Sequence, residues 1–266
     1  MTAPHPALFV GHGSPMNTIE DNVNSRAWRE WGTLLPRPRA ILAISAHWQT
    51  KGIAVTAMPC PRTIHDFSGF PPRLSELTYA APGDPDMAQR VADLLAPEPV
   101  RLDQEWGLDH GTWSVLAHLY PGAGIPVVQL SLDRGRDAAA HFALGRRLRP
   151  LRDDGVLILG SGNIVHNLAR MDMHRREGGF SWAERFNSRV RRQLRDQDAA
   201  GLCQLHDDDA RFAVPTPEHY LPLLYVAAVR DAGEDLTLLN DHIEFASISM
   251  LSAWVGHMKE VATRTG

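Results

Sequence analysis

Short, unbroken runs of apolar residues recur along the chain and constrain its fold more than any other feature. Runs without polar alternation are typical of strands in a sheet that is covered on both faces. Five runs predict strands: Ala7–Val10, Ala40–Ser45, Ile53–Thr56, Pro126–Leu132 and Val156–Leu159. Helical patterns separate these runs, so we expect an α/β protein with helices on both faces of a sheet.

Three helix starts are predicted from capping patterns. Asp84 before a proline is typical of an N-cap, and Ser181 with Glu184 has the spacing of a capping box. A further helix is expected to open at Thr216-Pro217 and to carry a buried apolar stripe. The segment after Ile243 is compatible with a strand or a helix, because its periodicity does not decide between them.

The organisation of the chain indicates one domain, residues 1–266, since no repeat, low-complexity tract or linker-like shift in composition occurs. The irregular segment from Met58 to Pro82 is longer than most compact domains tolerate without a functional reason. We therefore expect this segment to contribute to a binding site.

Composition and charge exclude several classes of protein. With 27 basic and 31 acidic residues, the formal net charge is −4, which gives no electrostatic footprint for nucleic acid. No apolar stretch approaches the roughly 20 residues that span a bilayer, and no signal-peptide pattern opens the chain. The two cysteines, Cys60 and Cys203, form no motif. These features predict a cytoplasmic protein with no nucleic-acid or membrane partner.

Histidines follow the predicted strands at their carboxyl ends. His12 follows the first strand, His47 the second, and His166 lies just past the fifth. In open α/β sheets this edge binds ligands, and imidazole is the commonest metal ligand. Two or three imidazoles with open coordination positions describe a catalytic zinc or non-haem iron site. We predict a metal site that uses His12 and His47.

Other histidines are less informative individually. His110 and His219 lie in otherwise apolar surroundings, and His65 is equally compatible with loop hydrogen bonding and with a place at the substrate. The remaining histidines are expected on the surface or at helix caps: His5, His118, His141, His174, His206, His242 and His257. The sequence contains no P-loop, no HExxH helix and no G-x-S-x-G elbow.

Taken together, these segments resemble the class III (LigB-type) extradiol ring-cleavage dioxygenases, most closely their DOPA 4,5-dioxygenase (DODA) branch. The matching segments run in family order through most of the chain: GHGSPMN (11–17), ISAHW (44–48), IHDFSGFP (64–71), LDHGTWSVLAHLYP (108–121), PVVQLSL (126–132), LGSGNIVHNL (159–168) and PTPEHYLPLLYVAA (215–228). The resemblance implies a three-layer sandwich with a central, mostly parallel mixed sheet covered by helices on both faces. It also implies extradiol opening of a single-ring catechol, such as DOPA, by O2.

The resemblance further implies one divalent metal ion held by His12, His47 and His219. His166 would act as general base, and His110 would hydrogen-bond the oxygen or the catecholate. Candidate substrate contacts are His65, Ser14 and Trp48, with Phe67 and Phe70 as further candidates for packing the ring. Fe(II) is expected for activity, whereas Zn(II) is an ion that a three-histidine site also holds readily. A homodimer is compatible with the sequence.

Two alternatives remain open at this point. A zinc-dependent hydrolase on the same scaffold would use Glu218 or His166 to take a proton from water. A Memo-like protein would be a binding module without catalytic activity. Retention of His166 and His110 beside the ligand set favours an enzyme, because a binding module needs neither acid–base group.

Overall fold

The computed structural model describes residues 3–175 and 177–258. The predicted domain of residues 1–266 therefore begins and ends outside the described residues. Within them, the strands are β1 (Ala7–Gly11), β2 (Ala40–Thr50), β3 (Ile53–Thr56), β4 (Val100–Asp103), β5 (Val127–Asp133), β6 (Val156–Gly162), β7 (Leu236–Leu239), β8 (Ile243–Glu244), β9 (Ile248–Ser249) and β10 (Ser252–Val255).

The helices alternate with these strands through most of the chain. They are α1 (Val23–Leu34), α2 (Pro72–Ser75), α3 (Pro85–Leu95), α4 (His110–Leu119), α5 (Ala138–Arg147), α6 (Pro150–Asp153), α7 (Ser181–Arg195), α8 (Ala199–Leu202), α9 (Asp208–Ala213) and α10 (Leu221–Ala228). No helix in the described part of the chain has the length and apolar character needed to cross a membrane.

A mixed sheet of eight strands forms the centre, in the order β4-β3-β5-β2-β6-β1-β10-β7. The four middle strands, β5, β2, β6 and β1, run parallel to one another. Strands β10 and β7 add antiparallel pairs at one side, and β8 pairs with β9 in a separate hairpin. The predicted fold class, a mostly parallel mixed sheet in one α/β domain, is confirmed.

The side chains of alternate residues in the central strands pack into two separate apolar cores, one on each face of the sheet. In β6, for example, Ile158 joins the core formed with α3 and α5 to α10. Its neighbour Leu157 joins the core formed with α1, α2 and α4. Both side chains are fully buried, which is why the strand reads as a continuous apolar run. Together the helices and the sheet form three layers.

Strand β2 is longer than the sequence predicts. The apolar run Ala40–Ser45 continues as a strand to Thr50, and its register against β5 shifts between Ile44 and Gln49. His47 therefore lies within this irregular part of the strand and not beyond its end. Irregularities of this kind re-aim side chains and are common beside functional sites.

The predicted helix starts are confirmed in one case and wrong in detail in another. Helix α3 begins after Asp84, whose carboxylate accepts a backbone N–H of the first turn. Helix α7 begins at Ser181 itself, so Phe180 is the N-cap and Ser181 forms no capping box. Glu184 instead accepts a hydrogen bond from the backbone N–H of Gly179, at 2.6 Å.

The helix predicted to open at Thr216 begins only at Leu221. The backbone N–H groups of Tyr220 and Leu221 both donate to the carbonyl of Pro217, which forms a turn in place of a regular helix start. This turn carries His219. The undecided segment after Ile243 forms the short strands β8, β9 and β10.

Three histidines that we expected at the surface or at caps are buried: His5, His118 and His141. His141 is fully buried, with Nδ1 2.9 Å from the Tyr225 hydroxyl and Nε2 3.2 Å from the Asp133 carbonyl. Burial is tolerated because both ring nitrogens have partners. The sequence does not distinguish such a histidine from an exposed one.

The end of β6 packs directly against the turn that carries His219. The backbone N–H of Asn163 donates to the His219 carbonyl, at 2.8 Å. A Cβ atom at Gly162 would lie 2.1 Å from that carbonyl oxygen. Only glycine therefore lets the strand and the turn approach so closely.

We expect Gly162→Ala to lower the free energy of unfolding by about 1–3 kcal/mol, because the added methyl group forces the His219 turn away from β6. Urea denaturation measures this loss. Gly122→Ala is the matched control: no atom lies within 4 Å of the Cβ position at Gly122, so a change within about 0.5 kcal/mol is expected. Equal stability of the two variants would contradict the proposed tight contact.

Candidate active site

A cavity of about 370 Å³ lies where the central parallel strands end, at the edge of the sheet where such folds bind ligands. Five histidines line it: His12, His47, His110, His166 and His219. Most of the remaining wall is apolar and includes Phe67, Phe70, Leu168, Met171 and Ile248. An apolar cavity with a few convergent polar groups is the usual form of a small-molecule site.

Three of these imidazoles form a nearly equilateral triangle. The ring centroids of His12 and His47 lie 5.1 Å apart, those of His12 and His219 5.4 Å apart, and those of His47 and His219 5.2 Å apart. The three rings come from separate elements: the end of β1, the irregular part of β2 and the turn before α10. The fold thus gathers residues that are far apart in sequence.

The ring of His12 is fixed through its Nδ1 atom. This atom lies 3.0 Å from the Ser161 hydroxyl oxygen. The Ser161 hydroxyl already donates its proton to the Gly111 carbonyl, at 2.6 Å. Ser161 therefore accepts from His12, so His12 carries its proton on Nδ1 and presents an unprotonated Nε2.

Carboxylates lie beside Nδ1 of the other two rings. Nδ1 of His47 lies 3.3 Å from Oδ2 of Asp66, and Nδ1 of His219 lies 3.1 Å from Oε1 of Glu218. An ionised carboxylate only accepts hydrogen bonds, so each Nδ1 carries the proton. Each Nε2 then keeps a lone pair, which is the arrangement that metal-ligating histidines adopt.

The donor set fits a metal ion. Nε2 of His12 and Nε2 of His47 lie only 3.3 Å apart. A hydrogen bond between them would require a proton on one Nε2 and would leave Ser161 or Asp66 without its donor. Two ligand nitrogens at metal distances of about 2.0–2.1 Å are separated by roughly this length, so a shared cation accounts for the contact.

Burial keeps these imidazoles neutral. It lowers the pKa of His47 to about 3 and holds the pKa values of His12 and His219 well below the ordinary imidazole value. The neighbouring imidazoles act in the same direction, whereas the Asp66 carboxylate raises the pKa of His47. Neutral imidazole is the form that binds metals.

His110 and His166 each lie against one ring of the triangle. The His110 ring lies 3.9 Å from the His47 ring, and the His166 ring stacks on His219 at 3.5 Å with an interplanar angle of 7°. Burial lowers the pKa of His166 to about 4. By ligand-atom distance the cluster divides into two groups, one of His12, His47 and His110 and one of His166, Glu218 and His219.

The contact of His110 with Asp66 is close but poorly aligned. Its Nδ1 lies 2.9 Å from Oδ1 of Asp66, yet this buried atom makes no well-directed hydrogen bond within the described structure. Catalytic hydrogen bonds are often misaligned before substrate binds. The backbone N–H of His110 also donates to Oδ1 of Asp66, at 2.9 Å.

Of the candidate substrate contacts, Ser14 lines the cavity, but His65 and Trp48 lie away from it. Nε2 of His65 lies 2.8 Å from the Leu77 carbonyl, a bond that holds the loop. Trp48 stacks on Trp106 with ring centroids 5.6 Å apart.

The sequence analysis does not single out Asp66 and Ser161, the two side chains that contact Nδ1 of His47 and His12. Asp66 directly follows His65, the histidine that the sequence analysis considers in this segment. Ser161 lies between two glycines at the end of β6. Both act through Nδ1 of a histidine that is distant in sequence, and no local pattern signals such a contact.

The hairpin of β8 and β9 closes one side of the cavity with Glu244 and Phe245. Phe245 and Ala246 adopt φ values of +50° and +63°, which are uncommon for residues other than glycine. Backbone strain of this kind clusters at functional sites. Asn24 donates to Oε1 of Glu244, at 2.7 Å, and ties the hairpin to α1.

Comparison with known proteins supports these observations. The family described as "Catalytic LigB subunit of aromatic ring-opening dioxygenase" matches residues 1–256. A protein from Escherichia coli K12 named "4,5-DOPA dioxygenase extradiol" is 50% identical over 256 residues, which cover 94% of each chain. A protein of the same name from Beta vulgaris is 39% identical over 237 residues, covering 86% of this chain and 87% of the relative.

A solved structure shows the same fold. The crystal structure of an uncharacterized protein from Escherichia coli K12 matches with a TM-score of 0.84 and 46% identity, covering 95% of this chain and 100% of that one. The resemblance to LigB-type ring-cleavage enzymes is thus confirmed over nearly the whole chain. The protein belongs to the family of catalytic LigB subunits of aromatic ring-opening dioxygenases and is an enzyme of that class.

Proposed function

We propose that this dioxygenase opens the ring of a single-ring catechol by extradiol cleavage, with DOPA or a catechol of similar size as its substrate. The observation that carries the proposal is the triangle of His12, His47 and His219, whose rings line an apolar cavity together with His110 and His166. The names of the relatives from E. coli and Beta vulgaris support DOPA as the first substrate to test.

We propose that His12, His47 and His219 hold one divalent metal ion. When bound, Fe(II) would supply Lewis-acid polarisation of the catechol hydroxyls and electron exchange with dioxygen. Fe(II) is the ion we expect for activity. Zn(II) binds nitrogen ligands at least as well, but it has no redox chemistry to offer oxygen.

His166 and His110 are the proposed proton-handling groups. The His166 ring borders the cavity and lies parallel to His219, so it can take a catechol hydroxyl proton and return it later. His110 directs Nδ1 towards Asp66, which leaves Nε2 as the atom that exchanges a proton or hydrogen bond with the bound molecules.

Aromatic side chains of the segment 58–82 shape the proposed ring pocket. Phe67 meets Phe70 edge to face, with centroids 5.5 Å apart and an interplanar angle of 83°. It also lies edge-on to His110, again at 5.5 Å. These rings exclude water from the region where the catechol would bind, which strengthens polar interactions there.

The family match favours ring opening over the two alternatives. A zinc hydrolase would use the same histidines with an activated water, and a Memo-like binding module would leave His110 and His166 without a task. A cytoplasmic location and assembly as a homodimer stay predictions.

Oxygen consumption tests the proposed activity. Protein loaded anaerobically with Fe(II) should take up one O2 per molecule of DOPA, because both oxygen atoms are incorporated into the ring-opened product. This product should have a new visible absorbance. The same protein loaded with Zn(II) is the control and should take up none. The absence of uptake with DOPA and with a panel of other single-ring catechols would contradict the proposal.

Metal content and turnover, measured on the same variants, distinguish the proposed metal ligands from the proposed general base. His12→Ala should lose metal and activity together, because two ligands are too few for a stable site. His166→Gln should keep most of its metal while turnover falls by about 10²–10⁴-fold, the usual effect of removing a general base. If His166→Gln lost its metal as fully as His12→Ala, His166 would be a ligand.

A further inference from the structure

We infer that Asp66 is a positioning residue: it keeps the ring proton of His47 on Nδ1 and holds His110 through its backbone N–H, so that one carboxylate orients a metal ligand and a proton-handling residue together. The inference rests on the proposed metal site, since His47 is a ligand only there. Asp66 is not among the residues that line the cavity.

The two carboxylate oxygens of Asp66 face different residues. Oδ2 lies 3.3 Å from Nδ1 of His47. Oδ1 accepts the backbone N–H of His110, at 2.9 Å, and also lies 2.9 Å from Nδ1 of the same residue. The backbone N–H is a donor, and each Nδ1 atom can donate when its ring carries the proton there, so an ionised carboxylate, which only accepts, matches all three groups.

An amide at this position cannot satisfy the same three groups. In Asp66→Asn, one side of the group becomes an NH2 donor while the shape is kept. The amide oxygen must face His110, because the backbone N–H there cannot change into an acceptor. The NH2 group then faces Nδ1 of His47 and draws the proton of that ring onto Nε2, where it blocks metal binding.

Glu218, which lies beside Nδ1 of His219, serves as the control position for Asp66. Its Oε1 atom alone accepts from both the Thr216 hydroxyl, at 2.8 Å, and Nδ1 of His219, at 3.1 Å. In Glu218→Gln the amide oxygen can take this position and keep both bonds. This variant removes a negative charge beside a proposed ligand, as Asp66→Asn does, but it does not force a change of proton position.

The truncation Asp66→Ala separates positioning from a merely structural role. Alanine removes the carboxylate but offers His47 no opposing donor, so the ring remains free to carry its proton on Nδ1. If the tautomer of His47 decides metal binding, asparagine is the worse replacement. If Asp66 only supports the loop, the isosteric asparagine is the milder one.

The test is a competition titration of Zn(II) against a chromophoric chelator, with the full-length proteins. Asp66→Asn should lower Zn(II) affinity by about 10–100-fold, the usual loss when a partner of a metal-ligating histidine is removed, and Glu218→Gln should lose less than about tenfold. Asp66→Ala should fall between Asp66→Asn and the unchanged protein. Urea denaturation of the chelator-treated proteins should give similar midpoints, because the effect lies in a ring proton and not in the fold.

Three results would overturn the inference. The first is equal Zn(II) affinity of Asp66→Asn and the unchanged protein, and the second is a larger loss for Asp66→Ala than for Asp66→Asn. Equal losses for Asp66→Asn and Glu218→Gln would also overturn it, since charge alone would then explain both. Zn(II) affinity does not depend on ring cleavage. If DOPA is not a substrate, the Zn(II) affinities of the variants can therefore still be compared.

Discussion

The polar contacts at Nδ1 of three imidazoles are the interactions on which the site depends. Ser161 holds His12, Asp66 lies against His47 and Glu218 holds His219. Each contact favours a proton on Nδ1 and leaves a lone pair on Nε2, the atom that we propose as the metal ligand. Without these partners, either nitrogen of each neutral imidazole could carry the proton.

The fold supplies the convergence through its parallel strands. Strands β1, β2 and β6 are neighbours in the sheet, so their carboxyl ends bring His12, His47 and Ser161 to one edge. The turn that carries His219 can reach this edge because Gly162 leaves room for its carbonyl group. Stability of the sheet and geometry of the site are thus linked at the same strand end.

Much of the fold and part of the site could be predicted from local patterns. The apolar runs mark the buried strands, and the histidines that follow them mark the functional edge, because both signals lie within a few residues. His219 required the family resemblance, since its turn reads locally as a helix start. Asp66 and Ser161 are beyond reach because their partners are distant in sequence. The position of Trp48 depends on the irregularity of β2, which the apolar run Ala40–Ser45 does not indicate.

The most direct test of the metal site is a crystal structure of the Zn(II)-loaded protein with anomalous data collected at the zinc edge. One anomalous peak should lie inside the histidine triangle, with the Nε2 atoms of His12, His47 and His219 about 2.0–2.1 Å from it. A peak bound by His110 or His166 in place of His219, or through an Nδ1 atom of the triangle, would contradict the proposed ligand set and the tautomers derived from it.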